Sequence, residues 1–247
     1  MILPRYGRYA LTHIHFVQLM MKSTSIFDRL FLLPLFHGMS KEEFLEIAGQ
    51  VKMGFHTLSS GDIFAVQESK ADFLLFVISG GVCLYRNDYP LNLRLTEWAS
   101  APMVVEPACL FGSSPRHFRT YLADGEVQIL RLDKPAVHRL LSGYASFRLN
   151  YFNQLSTEIQ RGQHYQWQPT PDTLTSRFVS FVEAKCLRPT GRKELRIRMT
   201  DLASNILASR LRVSQMLSSL QEQGLIRSSR ETILIPQFEK LRSAYSG

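Results

Sequence analysis

The hydrophobic positions between residues 200 and 226 recur every three or four residues in two short segments, with a break between them. The first segment has an apolar face made of Leu202, Ala203 and Ile206. The second has a longer apolar stripe, made of Val213, Met216, Leu217 and Leu220. Opposite this stripe lies a polar and basic face that consists of Arg210, Arg212, Ser214, Gln215 and Ser218. This spacing predicts two short helices, each with one buried face.

Residues at the ends of the two segments support this prediction. Thr200 and Ser209 each have a hydroxyl that can accept a hydrogen bond from a free backbone N–H in the first turn of a helix, so we expect both to be N-caps. Gly224 supplies the positive φ at which a helix commonly ends. Two helices joined by a tight turn are typical of a helix-turn-helix, whose second helix enters the DNA major groove. The same pattern also occurs in helix pairs that only pack in a core.

The residues after Gly224 predict a small hairpin. Two β-prone runs, Leu225–Ile226 and Ile233–Ile235, flank a polar and basic stretch at residues 227–231. This arrangement is typical of the wing of a winged helix. We therefore expect Arg227 and Arg230 to lie beside DNA phosphates.

The pattern upstream predicts a β-rich domain followed by a long helix. From Val51 onward the hydrophobic period becomes strand-like, and short runs such as Phe73–Ile78 end at glycine turns, which is typical of a β-sandwich or barrel. A helix is predicted from about Tyr144 to Gly162, because apolar residues recur there at helical spacing: Tyr144, Phe147, Tyr151, Leu155 and Ile159. Residues 163–171, with two prolines, predict a hinge.

The C-terminal pattern contains several positions that together resemble a known family: Asp201, Leu202, Ala203, Ser209, Arg210, Val213, Leu217, Leu220, Gly224, Leu225 and Ile226. It is similar to the DNA-binding domain of the Crp/Fnr family of bacterial transcription regulators. Upstream, Gly61-Asp62 and Ile78-Ser79-Gly80 resemble the β-roll of the same family. The resemblance implies an α+β fold with an N-terminal double-stranded β-helix or jelly-roll of the cyclic-nucleotide-binding type, a long dimerisation helix and a C-terminal winged helix-turn-helix.

The resemblance also implies a division of the chain and a role for its long helix. The expected parts are an extra leader of doubtful status at residues 1–20, a β-roll effector-type domain at 21–143, a dimerisation helix and hinge at 144–168, and a winged-helix domain at 169–247. Met1, Met20 and Met21 all stay open as the translation start. In the family the long helix pairs with its twin, so its apolar stripe is the expected dimer interface; the alternative is that the stripe packs on its own β-roll.

The family's base-reading arginine corresponds to Arg210, and an arginine can bond bidentately to guanine O6 and N7. Ser209, Arg212, Ser214 and Gln215 are expected to support it. The family often has a glutamate next to this arginine, where this chain has Leu211, and a later basic reader is replaced by Gln215. We therefore expect an operator different from the family's best-known one.

The charge distribution agrees with a DNA-binding C-terminal part. The 247 residues have a formal net charge of +8. From Thr170 onward there are 13 Lys and Arg against 7 Asp and Glu, a charge of +6, which leaves +2 for the first 169 residues. Positive charge concentrated at the helix pair suits a phosphate backbone. The three cysteines, Cys83, Cys109 and Cys186, have neither disulfide nor zinc spacing, which fits a reducing cytoplasm.

An effector site is the least certain part of the resemblance. In cyclic-nucleotide-binding members a Gly-Glu pair begins a phosphate cassette and an arginine ends it, and Glu106 and Arg116 match these two charges. However, Val105 replaces the glycine, and Pro107 removes a backbone donor beside the glutamate. Cyclic nucleotide binding is therefore not expected, whereas another small-molecule effector, or none, remains open.

The remaining chemistry gives no further site. We predict no metal site, no cofactor and no catalytic residues, because phosphate-binding and nucleophile motifs are lacking. Glu106 near His117 is the one candidate pair for an enzyme. The expected protein is a cytoplasmic, dimeric regulator that binds a palindromic site in double-stranded DNA without membrane contact, and RNA polymerase is a further candidate partner. The alternative is a small-ligand sensor whose winged helix contacts proteins, which Leu211 on the reading face would favour.

Overall fold

The elements fall into a β-rich part followed by a mainly helical part. The computed structural model describes residues 29–167 and 169–245. Its β-rich part has 3-10 turns at Pro34–Phe36, Tyr89–Leu91 and Pro107–Cys109, the helix α1 (Lys41–Gln50) and the strands β1 (Gly54–Leu58), β2 (Ile63–Ala65), β3 (Phe73–Asp88), β4 (Leu93–Ser100), β5 (Met103–Val105) and β6 (Thr120–Asp133). Next come α2 (Lys134–Gly143) and α3 (Ala145–Trp167). The C-terminal part contains α4 (Leu174–Lys185), β7 (Lys193–Arg196), α5 (Met199–Asn205), α6 (Arg210–Glu222), β8 (Arg227–Ser228), β9 (Thr232–Ile235) and α7 (Phe238–Tyr245). The predicted α+β class is confirmed.

Local hydrogen bonds start the helices of the β-rich part. At α1, the Ser40 hydroxyl accepts a bond from the Glu43 N–H at 3.1 Å, and the Glu43 carboxylate accepts one from the Ser40 N–H at 2.8 Å. This reciprocal pair satisfies two backbone donors that have no partner within the helix. At α2, the Asp133 carboxylate accepts from the Ala136 N–H at 2.8 Å.

The strands pair antiparallel in a sheet of order β1-β6-β3-β4-β7-β9-β8, with β2 also on β6 and β5 also on β3. Its two longest strands, β3 and β6, pair along most of their length through two register shifts. Gly80 lies at the second shift with a φ of 97°. A Cβ at this position would come within 2.3 Å of the Glu126 carbonyl oxygen, so the close approach of β6 requires glycine here.

The apolar stripe of α3 faces the chain's own core. Phe147 is 0% exposed and its ring lies 5.3 Å from that of Phe36, measured between centroids. Tyr151 is also buried, and its hydroxyl donates to the Pro107 carbonyl at 2.8 Å. Tyr144 and Leu155 pack on the same cluster. The prediction that Phe147 and Tyr151 form a dimer interface is wrong, because helical spacing identifies a buried face without identifying what covers it. Tyr144 and Leu155 are only partly buried, and their place in an interface stays a prediction.

A different face of α3 is free. Leu149, Phe152 and Ile159 are large apolar residues that are exposed on this helix. Ile159 is 60% exposed, so it is the most accessible of the five predicted interface residues. The helix also continues to Trp167, past the predicted end near Gly162.

The sheet continues from the β-rich part into the C-terminal part through β4 and β7. Arg94 pairs with Arg196, and the pairing runs to Glu97 and Lys193. Glu97 and Lys193 are both buried and form an ion pair with a Nζ–Oε2 distance of 2.9 Å. Leu93 and Leu95 of β4 complete the apolar cluster of the C-terminal part. The two parts therefore share one sheet, and β4 contributes to the apolar cluster of the C-terminal part.

The predicted leader at residues 1–20, with the choice among Met1, Met20 and Met21, lies outside the described residues. The boundary predicted at 168/169 stays a prediction. Among the described residues, no helix is long and apolar enough to cross a bilayer.

Candidate nucleic-acid interface

The first helix of the predicted pair begins two residues earlier than expected. Helix α5 starts at Met199, so Thr200 lies inside it and is not its N-cap; that prediction is wrong. The N-cap is Arg198, which gives no side-chain cap but pairs through its Nε with the Asp201 carboxylate at 2.7 Å. An acidic residue in the first turn is favourable for the helix dipole. Leu202 and Ala203 are buried as predicted.

The turn between α5 and α6 is held by a side chain of another helix, α4. Leu207 has a φ of 52°, a left-handed conformation that is unusual for a residue with a Cβ, and its side chain is 69% exposed. The Arg177 guanidinium of α4 donates from Nη1 to the carbonyls of Ile206 and Leu207 at 3.0 and 2.9 Å. Arg177 therefore braces the turn. Sequence reasoning missed this residue, because nothing near it in sequence relates it to the turn.

Helix α6 has the two faces that the sequence predicts. The Ser209 hydroxyl accepts a bond from the Arg212 N–H at 3.4 Å, which confirms Ser209 as the N-cap. The apolar stripe is buried in the C-terminal cluster, and it consists of Val213, Met216, Leu217 and Leu220. The predicted DNA-facing residues are all exposed: Ser209, Arg210, Arg212, Ser214 and Gln215. Leu211, beside them, is 68% exposed.

The end of α6 leads directly into the hairpin. Gly224 has a φ of 71°, and the Leu225 N–H donates to the Leu220 carbonyl at 3.0 Å, which closes the helix. The Gln221 side chain accepts a bond from the Ser228 N–H at 2.8 Å and ties the first hairpin strand to the helix.

The hairpin of β8 and β9 forms the predicted wing. The Ser229 N–H donates to the Thr232 carbonyl at 2.8 Å and closes the turn. Arg227 and Arg230 are exposed on it. The Ile197 N–H donates to the Glu231 carbonyl at 3.0 Å, so the wing tip lies beside the segment that enters α5.

Residues 175–244 match the family model described as the Crp-like helix-turn-helix domain. The chain carries a Crp-like helix-turn-helix domain. The predicted similarity of the C-terminal part to the DNA-binding domain of the Crp/Fnr family is thereby confirmed. No curated protein sequence matches the chain.

Several solved structures are similar to the chain. The Thermus thermophilus catabolite activator protein has 18% identity and a TM-score of 0.45, with 87% of this chain and 99% of that chain covered. A putative transcriptional regulator of the crp/fnr family from Eubacterium rectale has 19% identity and a TM-score of 0.48, with the same coverage of 87% and 99%. The sensor domain of the transcriptional regulator DNR from Pseudomonas aeruginosa has 22% identity and a TM-score of 0.44, with 53% of this chain and 91% of that chain covered.

Upstream of the Crp-like domain, the two predicted effector charges do not meet. Glu106 is buried with a φ of 42°, and its carboxylate accepts from the Phe118 N–H at 2.9 Å and from the Arg119 guanidinium at 3.3 Å. Arg116 instead donates to the Glu68 carbonyl at 2.6 Å. The ion-pair partner of Glu106 is Arg119, and Arg116 is not bonded to it. The assignment of Glu106 and Arg116 to an effector site stays a prediction.

The surroundings of Glu106 do not favour catalysis. His117 Nδ1 lies 3.4 Å from the Glu106 carboxylate, so the candidate enzyme pair is in contact. The same carboxylate is already engaged by a backbone amide and by Arg119. Burial, with Glu106 as the next cause, raises the pKa of the neighbouring Cys109 thiol to about 12, so this thiol is not a nucleophile near neutral pH. No group of residues in the described ranges could hold a metal ion.

A cavity of about 570 Å³ lies between the β-rich part, α3 and the segment that follows α4. Its charged lining consists of Arg86, Glu106, Arg119, Glu158, Arg161 and Arg188. Burial raises the pKa of Glu158, with neighbouring Glu106 a further cause. The Nε of Arg119 is buried without a hydrogen-bond partner. Arg161 donates to the carbonyls of Cys186 and Leu187, so the wall on α3 is tied to the Crp-like domain.

Proposed function

We propose that the chain is a Crp/Fnr-type transcription regulator that binds a palindromic site in double-stranded DNA as a homodimer. The observation that carries this proposal is the division of α6 into a buried apolar stripe and an exposed polar and basic face. A helix anchored by one face can insert the other into the major groove. Arg227 and Arg230 on the wing beside it would bind phosphates.

Arg210, the first residue of α6, is the proposed base reader. Arg210→Ala is expected to weaken binding of the selected site by roughly 1–3 kcal/mol and to relax the preference at one base pair of each half-site. Selection of bound sequences from random DNA measures this preference. Arg139→Ala on α2, whose guanidinium bonds to the Gln50 carbonyl at 3.1 Å, is the matched control. An unchanged base preference in Arg210→Ala would remove this role.

The proposed dimer forms through the free face of α3. Leu149, Phe152 and Ile159 are spaced by three and seven residues, which is the spacing of a coiled-coil seam. A two-fold axis along this seam would present two α6 helices to half-sites about 34–36 Å apart. Phe152→Glu is expected to give monomers in light scattering, whereas Leu45→Glu, at an exposed leucine of α1, should not. A dimer that persists in Phe152→Glu would contradict this interface.

The winged helix could instead dock on a protein, and exposed Leu211 favours that alternative. Titration with duplex DNA at increasing salt distinguishes the two, since each neutralised phosphate contributes about −0.9 to the slope of log affinity against log salt. A surface for protein contacts would give no such slope. On the proposal the regulator works in the cytoplasm and contacts RNA polymerase at its promoters.

The cavity supports a second function, the binding of a small organic anion as effector. Four arginines and two glutamates line it, so its charge is positive, and the Glu106–Arg119 pair leaves neither charge free for the ribose and phosphate of cyclic AMP. We expect the anionic probe 8-anilinonaphthalene-1-sulfonate to bind once per chain in calorimetry, and cyclic AMP to give no heat. Arg188→Gln should weaken probe binding several-fold, with Arg139→Gln as control. Equal binding by both variants would contradict this effector site.

A further inference from the structure

The register of the shared sheet places two hairpin turns at the same end. Arg94 near the start of β4 pairs with Arg196 at the end of β7, and Arg196 pairs with Thr232 at the start of β9. The turn that precedes β9 is the wing tip, and the turn that precedes β4 is Tyr89–Leu91. Because the three strands are antiparallel and adjacent, the β3–β4 turn and the wing tip point the same way. Tyr89 is 76% exposed at its turn.

One face of this sheet is buried and the other is free. Leu93, Leu95 and Leu195 point into the C-terminal core. Because side chains alternate along a strand, Arg94 and Arg196 lie on the opposite face. Arg192 lies on that face too, since its guanidinium covers the ring of Trp98 at 3.9 Å. We call the surface formed by Arg94, Arg192 and Arg196 the basic sheet face.

The basic sheet face carries uncompensated charge. Arg94 and Arg196 are direct cross-strand partners, and two like charges in that position destabilise a sheet. Glu194 lies between the arginines, 3.8 Å from Arg196 and 3.9 Å from Arg192. Arg192 and Arg196 therefore share one carboxylate, and Arg94 forms no ion pair with the described residues. Such an arrangement costs stability in the free protein and favours an anionic partner.

Two of the three guanidinium groups are held in place by aromatic rings. Arg94 lies over Tyr85 at 3.8 Å from the ring centroid, and Arg192 lies over Trp98 at 3.9 Å. Stacking leaves the N–H groups at the edge of the guanidinium free to donate, and it reduces the entropy lost when they bind a phosphate. The side chains of Arg192 and Arg196 are half or more exposed.

We propose that the basic sheet face binds the phosphates of the DNA that flanks the site read by α6, with the β3–β4 hairpin acting as a second wing. This inference rests on the proposed function, because it requires the first wing to lie on DNA. Strand β4 is two strand spacings, or about 10 Å, from β9. Phosphates of one strand follow each other at about 3.4 Å along the duplex axis, so the face would reach about three base pairs further out than the wing.

The test compares two duplexes that share the selected site, one ending at the wing contacts and one extended by about ten base pairs on each side. Arg94→Gln/Arg196→Gln is expected to lower the affinity of the full chain for the extended duplex about 3–10-fold and its salt slope by about 1–2 units, with little change for the short duplex. Arg131→Gln is the matched control, because Arg131 also stacks on an aromatic ring, Phe73 at 3.9 Å, but lies on β6 opposite β1.

The outcomes separate the two proposals. Equal losses on both duplexes, or none on either, would overturn the second wing while leaving the role of α6 intact. If the wild-type chain binds neither duplex, both the proposed function and the second wing are overturned. A melting temperature that is unchanged or higher in the double variant is expected, since a repulsive pair is removed. A large drop in melting temperature would show that the arginines are structural and would overturn the proposal.

Discussion

The buried ion pair between Glu97 of β4 and Lys193 of β7 joins the two parts of the molecule, and removing one partner gives a sharp prediction. Their side chains are 3% and 1% exposed, and the ammonium–carboxylate distance is 2.9 Å. Lys193 also donates to the Thr190 carbonyl at 2.7 Å. Lys193→Met keeps most of the side-chain volume and removes the charge, which leaves the Glu97 carboxylate buried without its counter-ion.

The expected loss of unfolding free energy in Lys193→Met depends on the hydrogen bonds that Glu97 keeps. Breaking a buried pair from one side costs about 3–5 kcal/mol. The carboxylate still accepts bonds from the N–H groups of Leu187 at 2.6 Å and Arg188 at 3.4 Å, so we expect the lower end, about 3 kcal/mol. At about 2–4 °C per kcal/mol for a chain of this size, the melting temperature should fall by roughly 6–12 °C.

Thermal unfolding followed by circular dichroism measures this shift. Glu97→Gln/Lys193→Met is the partner variant, because it removes both charges and should recover a large part of the loss. Lys185→Met, which removes a pair with Asp88 at 3.1 Å whose side chains are 28% and 23% exposed, is the control and should cost less than about 1 kcal/mol. A loss below about 1 kcal/mol in Lys193→Met would refute the reasoning, since it would mean that the Glu97 carboxylate reaches water.

Three further predictions concern single positions. Leu207→Gly should raise the unfolding free energy by roughly 0.5–1 kcal/mol, because it relieves the left-handed turn and loses little apolar burial; destabilisation in urea unfolding would contradict this. Phe147→Ala should lower the free energy of unfolding by about 3–5 kcal/mol without changing the oligomeric state. A variant that is monomeric and as stable as the wild type would show instead that Phe147 lies in a dimer interface. Cys109, whose thiol pKa burial raises to about 12, should react with iodoacetamide at pH 8 only on unfolding; rapid labelling in mass spectrometry would contradict its burial.

The comparison of α3 and α6 shows where sequence patterns succeed. Both helices have a clear apolar stripe, and both stripes are buried. For α6 the pattern also located the free face, because the polar residues opposite the stripe have nothing else to cover them. For α3 the stripe was assigned to a partner chain, although Phe147 and Tyr151 pack on the β-rich part. A repeat of three and four residues specifies direction around a helix axis, and it contains no information about the neighbour.

The contacts that organise the sites join residues far apart in sequence. Arg177 braces a turn about thirty residues away, and Glu97 meets Lys193 across nearly a hundred. Glu106 is bonded to Arg119 and not to Arg116, and this depends on the path of the backbone between the two arginines. Such contacts leave no periodic signal, because their spacing in the chain is set by loops and not by a helix or strand repeat.

The sequence by itself determined the α+β class, the cap at Ser209, the end of α6 at Gly224 and the exposed face that begins with Arg210, since each depends on hydrogen bonds and periodicity within a few residues. Only the tertiary structure decided which surface of α3 is free and that β4 continues the sheet of the Crp-like domain. Those outcomes depend on which distant surfaces exclude water from one another, and that is settled when the whole chain packs.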